Sequence, residues 1–315
     1  MTRVIDAHHH LWDPSTADYP WMTVAVAPIA RRFAPEDLLP ALEAAGVDAT
    51  MVVQARSSLD ETRQLLTTAG RFPWIAGVVG WLDLTATDVA ATLANVRAAP
   101  GGDRLVGIRH QVDDEPDPDW LLRPDVARGL DIVAHADLVF DLLVRTRELP
   151  AAVRTVTDHP GLRFVLDHLA KPPIATGGWQ PWADLVSRLA DRPNVSVKLS
   201  GLVTEARPGR WTVDELRPYA EHVLAAFGPG RVMFGSDWPV CLLEAGYDRV
   251  VSIAQDLIGR TDRAGREAIM GGTASRIYGL VEPSTRDAAR RRPSPAWRSS
   301  TSGSRPRVSS TGPTR

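Results

Sequence analysis

Eight short segments rich in β-branched and other apolar residues alternate along the chain with longer segments of helical pattern. Such alternation is typical of a parallel sheet whose strands are joined by crossover helices. The segments cover residues 3–8, 49–54, 74–81, 105–112, 138–144, 162–169, 195–201 and 231–238. Because eight β/α units close a barrel, the sequence predicts an α/β fold of the (β/α)8 TIM-barrel class, without a visible internal repeat.

Some helix boundaries follow from residues that satisfy free backbone groups at helix ends. Two pairs have the spacing of a capping box, Thr85 with Asp88 and Thr212 with Glu215. Gly46 is placed to end the first helix. We expect Asp37 to be the N-cap of that helix, because Pro40 would then fall in the first turn, where a missing N–H is tolerated.

Composition limits the classes of function. Of 315 residues, 44% are apolar and 23% are charged, and the net charge is −2, so nothing favours a nucleic acid or an anionic membrane as partner. No apolar segment approaches the roughly eighteen residues that span a bilayer. The single cysteine, Cys241, excludes an intramolecular disulfide, and no leader-like segment precedes Asp6. Together these features predict a cytoplasmic protein.

The C-terminal segment differs in composition from the rest of the chain. Residues 282–315 contain eight Arg, two acidic residues and many Ser and Pro. A segment with so little apolar content cannot offset the entropy of its own ordering. We therefore expect a single barrel domain over residues 1–281 and a disordered tail over residues 282–315, which we interpret as a solvated extension rather than a nucleic-acid-binding arm.

Polar side chains concentrate at the ends of the predicted strands. They are His8, His10, Gln54, Trp81, Arg109, His110, Asp141, His168, Lys198 and Asp237. Because the reacting groups of TIM barrels lie at the C-terminal ends of the strands, this pattern predicts an active site there. Side chains alternate across a strand, so we expect His8 and His10 to share a face with Asp6 while His9 packs in the core. Two imidazoles so spaced can bind one small cation.

Six motifs in order resemble the amidohydrolase superfamily, and in particular its sugar-lactonase branch. The motifs are "DAHHHLWDP", "VVQARSSLDET", "GIRHQVDDEPD", "VLDHLAKPP", "VKLSGLVTEA" and "MFGSDWPV", and the resemblance covers about residues 3–281. It implies a distorted (β/α)8 barrel and hydrolysis at a carbonyl carbon. The implied substrate is a small sugar lactone, an aldonolactone such as L-fuconolactone.

The resemblance also implies metal ligands. His8 and His10 match the family's histidine pair on the first strand, His168 a later histidine, and Asp237 the aspartate of the eighth strand. Many family members carry a carboxylated lysine or a glutamate on strand four and histidines on strands five and six. Strand four here has Arg109 and His110, and strand five has Asp141. We therefore expect one divalent ion, zinc before other metals, or none, instead of a binuclear centre.

Each candidate residue has a chemical role and a structural alternative. Asp237 is the expected general base, with His168 as a second catalytic group, although an aspartate before a turn can also be a helix N-cap. Arg109 either stabilises an oxyanion or forms a buried ion pair. Lys198 lies in an apolar strand, so it must meet the substrate or a carboxylate, and we favour the substrate.

Further side chains complete this set of expectations. Gln54, Trp81 and His110 are expected substrate contacts at their strand ends, although His110 alternates away from Arg109 and could be core. A second carboxylate, Asp6 or Asp141, could orient an imidazole. The tryptophans Trp12, Trp81 and Trp238 flank the expected opening.

Other functions remain open at this point. A metal-dependent decarboxylase or a lactone isomerase would use the same histidines and aspartate. A non-catalytic binding protein on a barrel is disfavoured, because it would lose residues that this chain keeps. Serine hydrolase chemistry is excluded by the absence of a G-x-S-x-G motif. A homo-oligomer is compatible with the sequence.

Overall fold

Eight parallel strands form the centre of the protein in the computed structural model, which describes residues 3–280. Each strand pairs with the next one along the chain, so the order is β1 to β8 without a crossover. The strands are β1 Ile5–His9, β2 Ala49–Val53, β3 Ile75–Gly80, β4 Leu105–Gln111, β5 Val139–Leu143, β6 Arg163–Leu166, β7 Val195–Leu199 and β8 Val232–Phe234. All eight predicted strands are present, and the predicted TIM barrel is confirmed.

Helices follow the strands and surround the sheet. They are α1 Pro35–Ala45, α2 Leu59–Arg71, α3 Val89–Ala98, α4 Pro124–His135, α5 Leu149–Asp158, α6 Trp182–Ala190, α7 Leu202–Glu205, α8 Val213–Phe227, α9 Tyr247–Leu257, α10 Arg263–Glu267 and α11 Thr273–Ile277. None of the helices within residues 3–280 is long and apolar enough to cross a membrane. The predicted tail lies outside the described residues.

The barrel closes between its first and last strands through backbone hydrogen bonds near the site. The amide of Asp237 donates to the carbonyl of His8 at 2.8 Å, and the amide of His10 donates to the carbonyl of Trp238 at 2.6 Å. Below this level the interior is apolar, with Met51, Val79, Val139, Val165 and Met233 fully buried. Polar chemistry is therefore confined to the C-terminal end of the strands.

The predicted helix boundaries are confirmed in part. Gly46 ends α1 with φ +67°, and Thr212 forms a capping box with Glu215 at the start of α8. The expected Asp37 N-cap is wrong. The N-cap of α1 is Ala34, whose amide donates to the Asp37 carboxylate at 2.7 Å from within the first turn.

Two consequences follow for neighbouring residues. Pro40 lies inside α1 instead of in its first turn. The Thr85–Asp88 capping box is also wrong, because the Thr85 hydroxyl donates to the Asp83 carboxylate at 2.6 Å, and α3 begins after Asp88 without a side-chain cap.

Candidate active site

Three histidines and one aspartate meet at the C-terminal end of the barrel. His8 lies in β1 and His10 directly follows it, whereas His168 follows β6 and Asp237 follows β8. Oδ1 of Asp237 lies 3.4 Å from Nε2 of His10, 3.8 Å from Nε2 of His8 and 3.9 Å from Nε2 of His168. The structure therefore brings together the four side chains that the sequence proposed as metal ligands.

A β-bulge in β1 turns the two outer histidines of the triplet inward. The register between β1 and β2 shifts between Asp6 and His9, which inserts one extra residue in β1. Before the shift, Ala7 packs in the barrel interior. After it, His8 and His10 face the interior and the other site residues.

Asp6, which precedes the bulge, lies on the outer face. Its carboxylate accepts hydrogen bonds from the backbone amide of Ser236 at 2.8 Å and from the hydroxyl of Tyr247 in α9 at 3.0 Å. The prediction that Asp6 shares a face with the two inward histidines is wrong, because the extra residue breaks the alternation of the strand. His9 also faces outward, where its Nε2 lies 2.9 Å from the Thr50 hydroxyl.

Each inward imidazole is held by its Nδ1 atom and directs its Nε2 atom to the centre of the site. The Nδ1 partners are the Val53 carbonyl at 2.9 Å for His10 and the Ser200 hydroxyl at 2.8 Å for His168, whereas Nδ1 of His8 lies 3.2 Å from Nζ of Lys198 and 3.4 Å from the Asp167 carboxylate. A second group that fixes the ring orientation is characteristic of metal-ligating histidines.

The hydrogen-bond partners of the imidazoles show which ring nitrogens can accept a proton or a cation. A carbonyl only accepts, so Nδ1 of His10 carries the proton and Nε2 of the neutral ring has a free lone pair. Nε2 of His8 lies 3.3 Å from Nη1 of Arg109, and Nδ1 of the same ring lies 3.2 Å from Nζ of Lys198. Both cations only donate, and a neutral ring accepts at one of its two nitrogens and carries a proton on the other. The Nε2 atoms of His8 and His10 are 3.1 Å apart, a separation that a shared proton or a shared positive ion would stabilise.

The ligand spacing supports the same interpretation. Zinc bonds of 2.0–2.1 Å in a tetrahedron separate neighbouring ligand atoms by about 3.3 Å. His8, His168 and Asp237 offer ligand atoms that all lie within 4.8 Å of one another, and all three side chains are buried. Small side-chain movements would bring these atoms, with Nε2 of His10, to such distances.

Burial keeps the imidazoles in the form that binds metals. Loss of hydration lowers the pKa of His10 to about 3 and that of His168 to about 4, and it lowers the pKa of His8 well below its ordinary value. The rings are therefore neutral near pH 7. Burial also raises the pKa of Asp237, against the opposing effect of His168.

The backbone is strained where it presents His168 and Asp237 to the site. Residues 168–171 all have positive φ, between 48° and 59°, and Asp237 has φ 57°. Non-glycine residues in this region are uncommon and concentrate at functional sites. Gly201, with φ +67°, packs directly against His168, and a Cβ at this position would lie 2.8 Å from the Nδ1 atom of that ring.

A buried network of two cations and two carboxylates lies beneath the histidines. Arg109 contacts Asp167 at 2.9 Å, and Lys198 contacts Asp167 at 3.0 Å and Asp141 at 2.5 Å. Asp141 also accepts a hydrogen bond from the Tyr278 hydroxyl at 2.7 Å. Opposite charges balance within the network, which is the condition for keeping ions in a buried position.

This network changes the roles that the sequence predicted. Lys198 is fully buried and meets carboxylates instead of the cavity that substrate would enter, because it lies below the histidines. Arg109 combines both of its predicted roles, since it pairs with Asp167 and also lines the cavity. Asp167, which the sequence did not single out, lies 3.4 Å from the His8 ring in the place expected for Asp6 or Asp141.

The geometry gives the three remaining predicted substrate contacts other partners. The indole N–H of Trp81 donates to Nδ1 of His110 at 3.0 Å, and Nε2 of His110 lies 2.7 Å from Glu115. The His110 ring also stacks on Trp120 at 4.1 Å. Gln54 is fully buried. Among the described residues, none of these three side chains lines the cavity.

A cavity of about 310 Å³ opens above the site. His10, Arg109, His168 and Asp237 form its floor, and Trp21 lines one wall. The volume lies near the lower end of the range of roughly 300–1,000 Å³ found for small-molecule sites. Trp12 and Trp238, which we expected at the opening, are buried in packing contacts with Phe33.

Together these groups can perform hydrolysis at a carbonyl carbon. The carboxylate of Asp237 can accept a proton from water, the neutral imidazoles can bind a Lewis-acidic ion, and the guanidinium of Arg109 can stabilise negative charge on an oxygen. Asp237, Arg109, His10 and His168 face one cavity large enough for a small ring, and His8 is fully buried beside them.

Comparisons with known proteins agree with this interpretation. The family model described as amidohydrolase matches residues 5–280. The chain is 40% identical over 290 residues to an L-fucono-1,5-lactonase of Burkholderia ambifaria, with 90% of this chain and 98% of the relative covered. It is 41% identical to an L-fucono-1,5-lactonase of Burkholderia multivorans, with 89% and 97% covered.

A solved structure gives the same result. The crystal structure of an amidohydrolase from Burkholderia multivorans with bound zinc is 40% identical in sequence and superposes with a TM-score of 0.84. The match covers 89% of this chain and all of that one. The family model and these relatives span the whole barrel with its site, and the chain therefore belongs to the amidohydrolase family.

Proposed function

We propose that this protein hydrolyses the ring ester of a sugar-derived lactone, an aldonolactone such as L-fucono-1,5-lactone, to the open hydroxy acid. The observation that carries the proposal is the convergence of Asp237 with three imidazole Nε2 atoms, all within 3.9 Å of its Oδ1, where Asp237, His10 and His168 line the cavity. The L-fucono-1,5-lactonases at 40% and 41% identity support the choice of substrate class.

One divalent ion, zinc before other metals, fits the donor set of His8, His10, His168 and Asp237. Such an ion would act as a Lewis acid toward the lactone carbonyl or lower the pKa of a bound water. The family membership and the zinc-bound relative support a metal site of this kind.

The protein side chains account for the proton and charge movements. Asp237 accepts a proton from the water whose oxygen bonds to the carbonyl carbon, and Arg109 stabilises the negative charge that develops on the carbonyl oxygen. When the bond between that carbon and the ring oxygen breaks, the ring oxygen takes up the proton and becomes the hydroxyl of the product. His168, whose Nδ1 lies 2.8 Å from the Ser200 hydroxyl, lies beside Asp237 and keeps the carboxylate oriented for this transfer.

The test is acid release from a panel of aldonolactones by the wild-type protein and by Asp237→Asn. We expect the substitution to lower turnover by about 100-fold to 10,000-fold, the contribution of general acid–base catalysis, with an unchanged circular dichroism spectrum. Asp88→Asn at the start of α3 is the control for removing an aspartate outside the site. Undiminished hydrolysis by Asp237→Asn contradicts the proposal.

Product mass separates this reaction from the alternatives. Hydrolysis adds one water, a decarboxylase would release carbon dioxide, and an isomerase would leave the mass unchanged. A cytoplasmic location, a homo-oligomer and the absence of nucleic-acid binding stay predictions of the sequence.

A further inference from the structure

The cavity walls are divided by polarity. One wall is apolar and comes from the loops after β8, β1 and β2, with Val240, Trp21, Val26 and Ala55. The opposite wall comes from the loops after β4, β5, β6 and β7 and carries most of the charge. Its charged members are Asp113, Asp114, Arg145, Lys171 and Glu205. A ligand in this cavity therefore meets an apolar surface on one side and hydrogen-bonding groups on the other.

Ion pairs connect four of these charged residues, here called the polar wall: Asp113, Arg145, Lys171 and Glu205. Nζ of Lys171 lies 2.6 Å from Oδ2 of Asp113, and Nε of Arg145 lies 3.7 Å from the same oxygen. Nη1 of Arg145 lies 3.2 Å from Oε2 of Glu205. The chain of contacts crosses four consecutive barrel loops, so each charge has a fixed position relative to the others.

Asp113 is the centre of the polar wall. Its side chain is only 7% exposed, and it contacts both cations. Lys171 is held by the strained turn after β6, where it has φ 48°. A cation and a carboxylate fixed side by side supply one donor and one acceptor, which is what a hydroxyl group requires of its partners.

The floor and the apolar wall of the cavity do not supply partners for ring hydroxyls. The floor groups, Asp237, His10, His168 and Arg109, are engaged at the reacting ester in the proposed function. Trp21 uses its indole N–H on the Ala55 carbonyl at 2.7 Å, so its contribution to the cavity is apolar. Among the described lining residues, the charged groups outside the floor therefore all lie on the side of the β4–β7 loops.

We propose that the polar wall binds the ring hydroxyls of the lactone and selects polyhydroxylated lactones over unsubstituted ones, with Asp113 as the central acceptor. This inference rests on the proposed function and adds the residues that determine specificity. A site built to hydrogen-bond a substrate hydroxyl discriminates strongly against an analogue without it, because the buried polar groups then lose their partners.

The experiment measures selectivity between L-fucono-1,5-lactone and δ-valerolactone, which has the same ring without hydroxyls. δ-Valerolactone is followed as a second substrate where it is hydrolysed and as a competitive inhibitor where it is not. We expect Asp113→Asn to lower the preference for the sugar lactone at least about tenfold, mainly through its KM, since one charge-assisted hydrogen bond is worth about that much. Glu205→Gln is a second variant that leaves the Lys171–Asp113 pair intact, with an expected change in the same direction.

The matched control is Asp125→Asn, which removes a carboxylate from the Arg123–Asp125 ion pair on α4, outside the cavity. It should leave the preference unchanged. A preference that stays constant in both Asp113→Asn and Glu205→Gln overturns the inference, even if both activities fall together, because that result describes a structural role. If the wild-type protein opens neither lactone, the proposed function itself fails and this inference falls with it.

Discussion

Gly201 packs directly against the ring of His168, at a distance that leaves no room for a side chain unless one of the two moves. A Cβ on Gly201 would lie 2.8 Å from Nδ1 and 2.9 Å from Cγ of that imidazole, and its φ of +67° already disfavours a side chain. The loop after β7 thus fixes the position of His168, which belongs to the loop after β6.

Gly201→Ala should therefore damage the site more than its effect on stability would suggest. We expect kcat/KM for the lactone to fall about 100-fold, since a displacement of about 1 Å in a catalytic group has effects of that size. Gly46→Ala is the matched control, because Gly46 has the same φ of +67° with nothing within 4 Å of the added Cβ. Gly46→Ala has the same backbone strain as Gly201→Ala, but its added Cβ contacts no other residue. Equal losses of activity in the two variants would contradict the positioning role.

Asp167→Asn tests the buried network beneath the histidines. The change removes the charge that compensates Arg109 at 2.9 Å and Lys198 at 3.0 Å. Leaving buried charges without a partner lowers the free energy of unfolding by about 3–5 kcal/mol, and loss of the group beside His8 weakens metal affinity about 10-fold to 100-fold. Denaturant unfolding and a zinc titration measure the two effects.

The exposed Arg123–Asp125 pair again supplies the comparison for this prediction. Asp125→Asn should leave both the unfolding midpoint and zinc affinity close to wild type, because exposed ion pairs contribute little. An Asp167→Asn protein with unchanged stability would contradict the view that Asp167 compensates the two cations.

The strands and the four converging residues were predictable because both depend on local signals. Alternating apolar segments define eight strands, and the barrel then places every strand end at one opening. The role of Asp167 was not predictable. It adjoins His168, and strand alternation would send the two side chains to opposite faces, whereas the positive φ of His168 turns both toward the centre.

The wrong predictions for Asp6 and Lys198 also arise from contacts between residues far apart in the chain. The bulge that separates His8 from the face of Asp6 shows itself in the register of β1 against β2, which depends on strand pairing and not on local sequence. The ion pairs of Lys198 join residues 31 to 57 positions apart in the chain. Such partners carry no periodic signal, so a buried charge predicts that a partner exists without identifying it.

Metal removal tests the donor set at the floor of the cavity. Protein purified without chelator should contain about one equivalent of zinc, and dialysis against a chelator should lower both lactone hydrolysis and the melting temperature, because a ligand that binds only the folded state stabilises it. Added zinc should restore both. His10→Ala removes one donor and should weaken zinc retention, whereas His135→Ala on α4 should not. Full activity in metal-free protein would contradict a required ion.

Glu61 should make stability fall as the pH rises. Burial raises the pKa of Glu61 to about 7 from an ordinary 4.5. Hydrogen bonds from the amides of Arg56 and Ala55, and the charges of Arg56 and Arg109, oppose this rise. Tyr19 is the other titratable neighbour. Between these values the folded chain keeps a proton that the unfolded chain loses, so ionisation favours unfolding. As the pH rises from 5 to 8, the free energy of unfolding of Glu61→Gln should therefore increase by roughly 2–3 kcal/mol relative to that of wild type, as measured by denaturant unfolding. Glu36→Gln, an exposed first-turn residue of α1, is the control, and parallel pH profiles for wild type and Glu61→Gln would contradict the raised pKa.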